Sequence, residues 1–329
     1  MNTTVNGSSC SSLPNSTARK IGQTFAFCLI SVVSLVGNSF LGIIAVYKTR
    51  ALRKPINYFI ANMAMSDLLC PIVVAPVFIV LFVDSRLHSG PFGQVLCKMI
   101  AFFWFVAIAV SIQSLVLIAV DRFGAVVFPL RSPLISSKLC PFFILATWII
   151  AMAVSLPHLL AFEVAAYADG KVRPCLALFI EATEESSSSS YENYLSAFIV
   201  VFLYVPIALL VIIYSVIVIK LKTQKIPGQQ SVNAGQQRAK RNQNVLKMAI
   251  AIVLGFVLCW VPWSIIILRL FFARDLPCSY YSTYFSITRA MVNLYCAINP
   301  CICFIFSQNY RQGLKRLLKC FNAVQDRAN

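Results

Sequence analysis

The chain reads as an all-α membrane protein: a bundle of seven transmembrane helices with a short amphipathic eighth helix behind it. Three observations predict this. Hydrophobic residues fill 59% of the 329 positions and charged residues only 12%, about half the charged share of a soluble domain. Seven apolar runs divide the sequence, each long enough for the ~20 helical residues that cross a bilayer core. The basic residues fall on alternate connections between those runs, the pattern by which membrane orientation is encoded. The net charge of +17 therefore belongs to loops beside a membrane, and no nucleic-acid partner is expected.

Residues 1–20 are polar and hold three glycosylation acceptors, Asn2-Thr3-Thr4, Asn6-Gly7-Ser8 and Asn15-Ser16-Thr17, so a glycosylated extracellular tail is expected. The first run, 21–47, carries no charge. The second, 56–83, carries only Asp67. The third, 99–120, lies between Lys98 and the pair Asp121-Arg122. The fourth (139–162), fifth (193–219) and sixth (248–268) are uncharged, and the seventh (281–306) contains Arg289. In hydrocarbon every backbone polar group must be satisfied internally, which makes such runs helices and tolerates kinks at Pro76, Pro157, Pro206, Pro262 and Pro300. The seven-span domain is thus expected over 21–307, a membrane-surface helix over 308–321 and a cytoplasmic tail over 322–329.

Nineteen of the 28 basic residues follow runs one, three, five and seven. That face is expected to be cytoplasmic and the N-terminus extracellular, in a multi-pass protein of the plasma membrane. The opposite face has an acidic connection between runs four and five, with Glu163, Asp169, Glu181, Glu184, Glu185 and Glu192 against Lys171 and Arg173. Around Cys175, residues 172–179 have strand-like composition and suit a short hairpin.

Beyond run seven, Phe306, Tyr310, Leu314, Leu317, Leu318 and Phe321 recur at helical spacing. Arg311, Lys315, Arg316 and Lys319 take the other face. This pattern suits a helix lying on anionic lipid, with Cys320 at its end as a palmitoylation site. Among the twelve cysteines, Cys28, Cys70, Cys259, Cys296, Cys301 and Cys303 lie inside apolar runs and read as small core residues. With two histidines in the chain and no zinc-ligand spacing, neither a metal centre nor an enzymatic site is expected.

Motifs within the runs carry more. Gly37-Asn38 stands in the first and Asn62-Met63-Ala64-Met65-Ser66-Asp67 in the second. Asp121-Arg122-Phe123 ends the third, and Trp148 lies in the fourth. Pro206 and Tyr214 are in the fifth, Cys259-Trp260-Val261-Pro262 in the sixth and Asn299-Pro300 in the seventh. One marker per run, in this order, resembles the rhodopsin-like (class A) G-protein-coupled receptors over about residues 21–320.

That resemblance implies a receptor driven by an extracellular ligand and signalling through a heterotrimeric G protein. It implies a sodium site at Asp67, with Ser111, Asn38 and Asn299 near it, as an allosteric ion rather than a cofactor. It implies a coupling switch built on Asp121, Arg122, Phe123, Tyr214, Asn299 and Pro300, with Trp260 as a rotamer switch at the pocket floor. It also implies a disulfide between Cys97 and Cys175; Cys10 and Cys278 remain on the same face for a second one. The sequence departs from the pattern at Phe123 and Cys303, where the family carries tyrosines.

The ligand reading rests on the outer half of the bundle. Trp104 stands where amine receptors carry an aspartate, and run seven has no lysine for a retinal Schiff base. An aromatic wall of Trp104, Phe105, Phe198, Trp260, Trp263 and Phe285 is expected, with Arg289 facing a carboxylate and Glu181, Glu184 and Glu185 attracting basic charge. A peptide fits these residues best and the pattern resembles neuropeptide receptors; a small amine or lipid ligand, or a transporter or channel, are the alternatives. Residues 308–329 hold no serine or threonine, so weak or tail-independent arrestin recruitment is expected, through hydroxyls such as Thr223 and Ser231.

Overall fold

The computed structural model describes residues 17–52, 54–75, 91–128, 133–161, 189–223, 232–272 and 278–328. These are helical apart from residues 54, 128, 133–139 and 307, with no strand among the described residues. Helix α1 spans Thr17–Leu52, and α2 spans Pro55–Leu69 and continues through a π-helical turn, Cys70–Val74. Helices α3 and α4 span Pro91–Val127 and Cys140–Ala161. Helix α5 has three pieces, Ser189–Ile199, the π-helical turn Val200–Tyr204 and Val205–Thr223. Helix α6 spans Val232–Phe272 and α7 spans Cys278–Phe306; α8, Gln308–Ala328, follows.

Six of these helices are long and apolar enough to cross a membrane. Counting α7 and the start of α8, joined by a 100° bend at Ser307, as one span brings the number to seven. The helices outrun their apolar runs: α3 begins at Pro91 and α6 at Val232, because the runs mark only what hydrocarbon requires. The acceptors Asn2, Asn6 and Asn15, the acids Glu181, Glu184 and Glu185, the hairpin at 172–179, and Cys10, Cys175 and Pro76 lie outside the described residues.

Two prolines explain the wide turns. Pro71 has no N–H to give the carbonyl four residues back, at Asp67, and the backbone widens over Cys70–Val74, closed by Ala75 N–H on the Cys70 carbonyl. Pro206 has the same effect one turn earlier, where Val205 N–H reaches the Val200 carbonyl. Pro157, Pro262 and Pro300 sit inside helices.

Side-chain bonds set the register. Along α2 and α7, Cys70 meets Asn293 and Asp67 meets Asn299, so the two run antiparallel, and Asn57 further down α2 meets Tyr310 of α8. Along α4 and α5, Val154 meets Tyr194 and His158 meets Tyr191, again antiparallel. Asn62 of α2 is the hub of three helices: its amide donates to Ser114 Oγ of α3 (2.9 Å) and Thr147 Oγ1 of α4 (3.2 Å), and its Oδ1 accepts from Trp148 Nε1 (2.8 Å).

Glycine permits the closest approach. A Cβ on Gly37 would lie 2.7 Å from Pro300 Cγ, so α1 and α7 touch backbone to ring, as small residues allow in lipid. Of the cysteines expected in the core, Cys70, Cys259, Cys296 and Cys303 are buried. Cys28 is only half-buried and Cys301 is exposed, both on helix faces turned out of the bundle, which apolar sequence alone cannot distinguish from inward faces. Gly37→Ala is expected to lower stability by about 1–3 kcal/mol through overpacking, read as a drop in melting temperature of the purified protein; an unchanged melting curve would refute this tight contact.

Candidate functional site

At the Cys97 end of the bundle, sequence-predicted aromatics meet. Trp104 and Phe105 come from α3, Phe198 from α5, Trp260 and Trp263 from α6. The Trp104 ring centre lies 6.3 Å from that of Trp260 and 5.8 Å from that of Trp263. Phe105 contacts Phe198 edge-on at 5.2 Å and Trp263 at 6.4 Å. Such tilted and edge-to-face pairs add to simple burial. Phe105, Phe198, Trp260 and Trp263 are buried, whereas Trp104 is half-buried, so Trp104 is the member of the cluster with free surface. Trp260 Nε1 is buried with no hydrogen-bond partner among the described residues. Phe285 and Arg289 lie on α7, with side chains outside the described set. Cys97 is buried and disulfide-bonded.

One residue of this region has no signature in the sequence. His158, in the last turn of α4, is fully buried. Phe105 stacks on its imidazole with ring centres 3.5 Å apart and planes 6° from parallel. The Tyr191 hydroxyl lies 2.9 Å from Nδ1 and the Tyr194 hydroxyl 3.3 Å from Nε2. Tyr194 donates its own proton to the Val154 carbonyl, so its oxygen accepts from Nε2–H and Tyr191 donates to a bare Nδ1. The neutral ring satisfies every one of these bonds. A lone histidine in an apolar run gives no periodic signal; the tyrosines at 191 and 194, one helical turn apart, were the available hint.

Mid-bundle, Asp67 is buried and accepts from Asn299 Nδ2 at 2.7 Å. Ser111 faces the same carboxylate and shares a hydrogen bond of 3.1 Å with the Tyr295 hydroxyl. Asn38 is held elsewhere: its amide donates to the Cys296 carbonyl (2.8 Å), the Ser34 carbonyl (3.0 Å) and Ser34 Oγ (3.2 Å), and it makes no bond to Asp67. Asn299 Oδ1 and Asn38 Oδ1 are buried without a partner among the described residues. A carboxylate, two hydroxyls and an unpartnered amide oxygen form an oxygen-rich set, which suits a hard cation.

At the other end, Arg122 Nε donates to Asp121 Oδ2 at 3.1 Å, and Nη2 pairs with the same oxygen. Asp121 is buried and the Arg122 side chain is partly exposed, a charge held back by its neighbour yet open to an incoming partner. Tyr214 is buried within electrostatic reach of Arg122. Phe123 meets Phe128 edge-on at 6.0 Å. Asn299 and Pro300 belong to α7, where Asn299 bonds to Asp67 in the polar core.

A bundle with an aromatic cluster at one end, a buried carboxylate at its centre and an arginine held by an aspartate at the other defines a class of receptor. Residues 37–302 match the 7 transmembrane receptor (rhodopsin family), and the chain belongs to that family. It is similar to the RYamide receptor of Drosophila melanogaster, at 30% identity over 91% of this chain and 66% of that receptor. It is also similar to neuropeptide FF receptor 1 of Rattus norvegicus, at 29% over 88% of this chain and 68% of the other, and to the allatostatin-A receptor of Bombyx mori, at 28% over 89% and 78%. The chain thus spans about two thirds of the length of the first two.

His158→Leu removes the group that links Tyr191, Tyr194 and Phe105 and strands polar atoms in the core. It is expected to cost about 2–4 kcal/mol, on the scale of one or two unsatisfied groups, and to lower the melting temperature while leaving the protein foldable. A wild-type melting temperature would contradict the bonding described.

Proposed function

We infer that this chain is a peptide-activated G-protein-coupled receptor. The observation that carries the reading is Trp104: a half-buried indole at the mouth of the aromatic cluster, in contact with Trp260 and Trp263, where an amine receptor needs a carboxylate. Relatives named for RYamide, neuropeptide FF and allatostatin-A support a peptide as the ligand. A peptide side chain pressed on Trp104 is felt directly by Trp260, two residues before Pro262 in α6. Movement of α6 then opens the Arg122 end, Arg122 leaves Asp121, and the freed guanidinium meets the G protein. No bond of the ligand is made or broken, so the chain acts as a transducer and not as an enzyme.

In this reading the Cys97 end faces outward and the glycosylated N-terminus lies outside the plasma membrane. Cys97 pairs with Cys175, pinning the acidic connection over the chamber, and Cys10 pairs with Cys278. Glu181, Glu184 and Glu185 attract a basic peptide, and Arg289 takes its carboxylate or one of those acids. A sodium ion would be held by Asp67, Ser111 and Asn299, with Tyr295 completing the set in place of Asn38; it would supply a positive charge that favours the resting state. The basic face of α8, with Arg311, Lys315, Arg316 and Lys319 exposed, rests on anionic lipid, anchored by palmitoyl on Cys320. Arrestin engages the core and inner-loop hydroxyls rather than residues 308–329.

The test is a peptide-library screen on cells expressing the receptor with a promiscuous G protein. The expected result is activation by amidated or basic peptides and none by monoamines; activation by monoamines alone would overturn the peptide reading. Asp67→Asn is expected to abolish the stabilisation that sodium, relative to potassium at equal ionic strength, gives the purified protein. Equal stabilisation of wild type and variant would place sodium elsewhere.

A further inference from the structure

We propose that Tyr310 is a positioning residue for the switch: it fastens the inner end of α7 in the resting state, supplying from α8 the buried hydroxyl that Cys303 lacks. A membrane-surface helix needs only an aliphatic face, and Leu314 and Leu317 provide one at half burial. Tyr310 is different. It is 4% exposed, and its hydroxyl donates to Asn57 Oδ1, 3.2 Å away, in the first turn of α2. A buried hydroxyl is unfavourable unless bonded, so the phenol and its acceptor specify each other in a way a phenylalanine there would not.

The backbone delivers the ring to this place. Ser307 N–H bonds to the Cys303 carbonyl, and Tyr310 and Arg311 N–H both bond to the Ser307 carbonyl, each at 3.1 Å. The chain thereby turns through 100° and brings Tyr310 back under the last turn of α7, within electrostatic reach of Cys303. Cys303 is itself completely buried. Gly313 fixes the second contact of α8: a Cβ there would lie 2.7 Å from Ile44 Cγ2 of α1. The start of α8 is therefore clamped between α1 and α2. In the same structure Arg122 is paired with Asp121, so the Tyr310–Asn57 bond belongs to the locked state.

The proposal rests on the reading that the Arg122 end couples to a G protein, and its test separates the two. Purified receptor in nanodiscs of one lipid composition is compared as wild type, Tyr310→Phe, Asn57→Leu and the double variant. Three quantities are read: agonist-free nucleotide exchange on added G protein, amide hydrogen exchange over residues 300–312, and melting temperature. Loss of one hydrogen bond predicts a rise in basal exchange of about three- to tenfold in each single variant. The double variant rises no further, because both changes remove the same interaction. Hydrogen exchange over 300–312 rises in parallel. A lower melting temperature with basal exchange and 300–312 protection both unchanged would reduce Tyr310 to packing and overturn the proposal. Faster hydrogen exchange with no nucleotide exchange by any form would support the fastening and defeat the coupling reading instead.

Discussion

The hydrogen bond from Asn299 to Asp67 is the contact on which the bundle depends most. A carboxyl group in the middle of a membrane is costly, and its cost is reduced only by partners held at fixed positions. Asn299 supplies one at 2.7 Å, and Asn299 keeps its place because Pro300, the next residue, lies against Gly37 of α1. The acid therefore dictates the spacing of α1, α2 and α7 together. Ser111 and Tyr295 extend the same set to α3. Hydrophobic burial cannot do this in lipid, where the surroundings are as apolar as the core; packing and interhelical hydrogen bonds must.

The remaining polar contacts follow that logic at other depths. Asn62 ties α2, α3 and α4. Tyr204 and Ser264 tie α5 to α6 at 2.9 Å, and His158 ties α4 to α5 beneath Phe105. Each of these side chains finds its partner on a neighbouring helix, so the aromatic cluster and the Arg122 end are joined by a rigid frame. Among the described residues few polar bonds reach α6, whose Phe256 and Trp260 both contact Tyr295 of α7 edge-on. Contacts of that kind slide more readily than a bonded asparagine, which suits the movement proposed for α6.

Much of this was legible in the sequence, and the reasons are specific. Hydrocarbon forces long apolar runs to be helices, so the spans were readable, and one marker residue per run identified the family. The aromatic cluster was readable because Trp104, Phe105, Phe198, Trp260 and Trp263 stand near the same ends of their runs. What stayed hidden depends on rotation about helix axes. An apolar run all round does not say which face is inward, so Cys301 read as core and is exposed. Asn38 read as a neighbour of Asp67 and is bound to Ser34 and Cys296 instead. His158, the wide turn at Pro71 and the return of Tyr310 beneath α7 all need three-dimensional register, which no periodicity encodes.

In the account proposed above, pressure on Trp104 at one end releases Arg122 at the other. The most direct test is nucleotide exchange by a purified heterotrimeric G protein on the receptor in nanodiscs, with and without a peptide found to bind it, for wild type and Arg122→Ala. The account predicts that peptide accelerates exchange on wild type, and that Arg122→Ala keeps peptide binding but loses the acceleration. Peptide binding without any change in exchange on wild type, or full acceleration in Arg122→Ala, would contradict it.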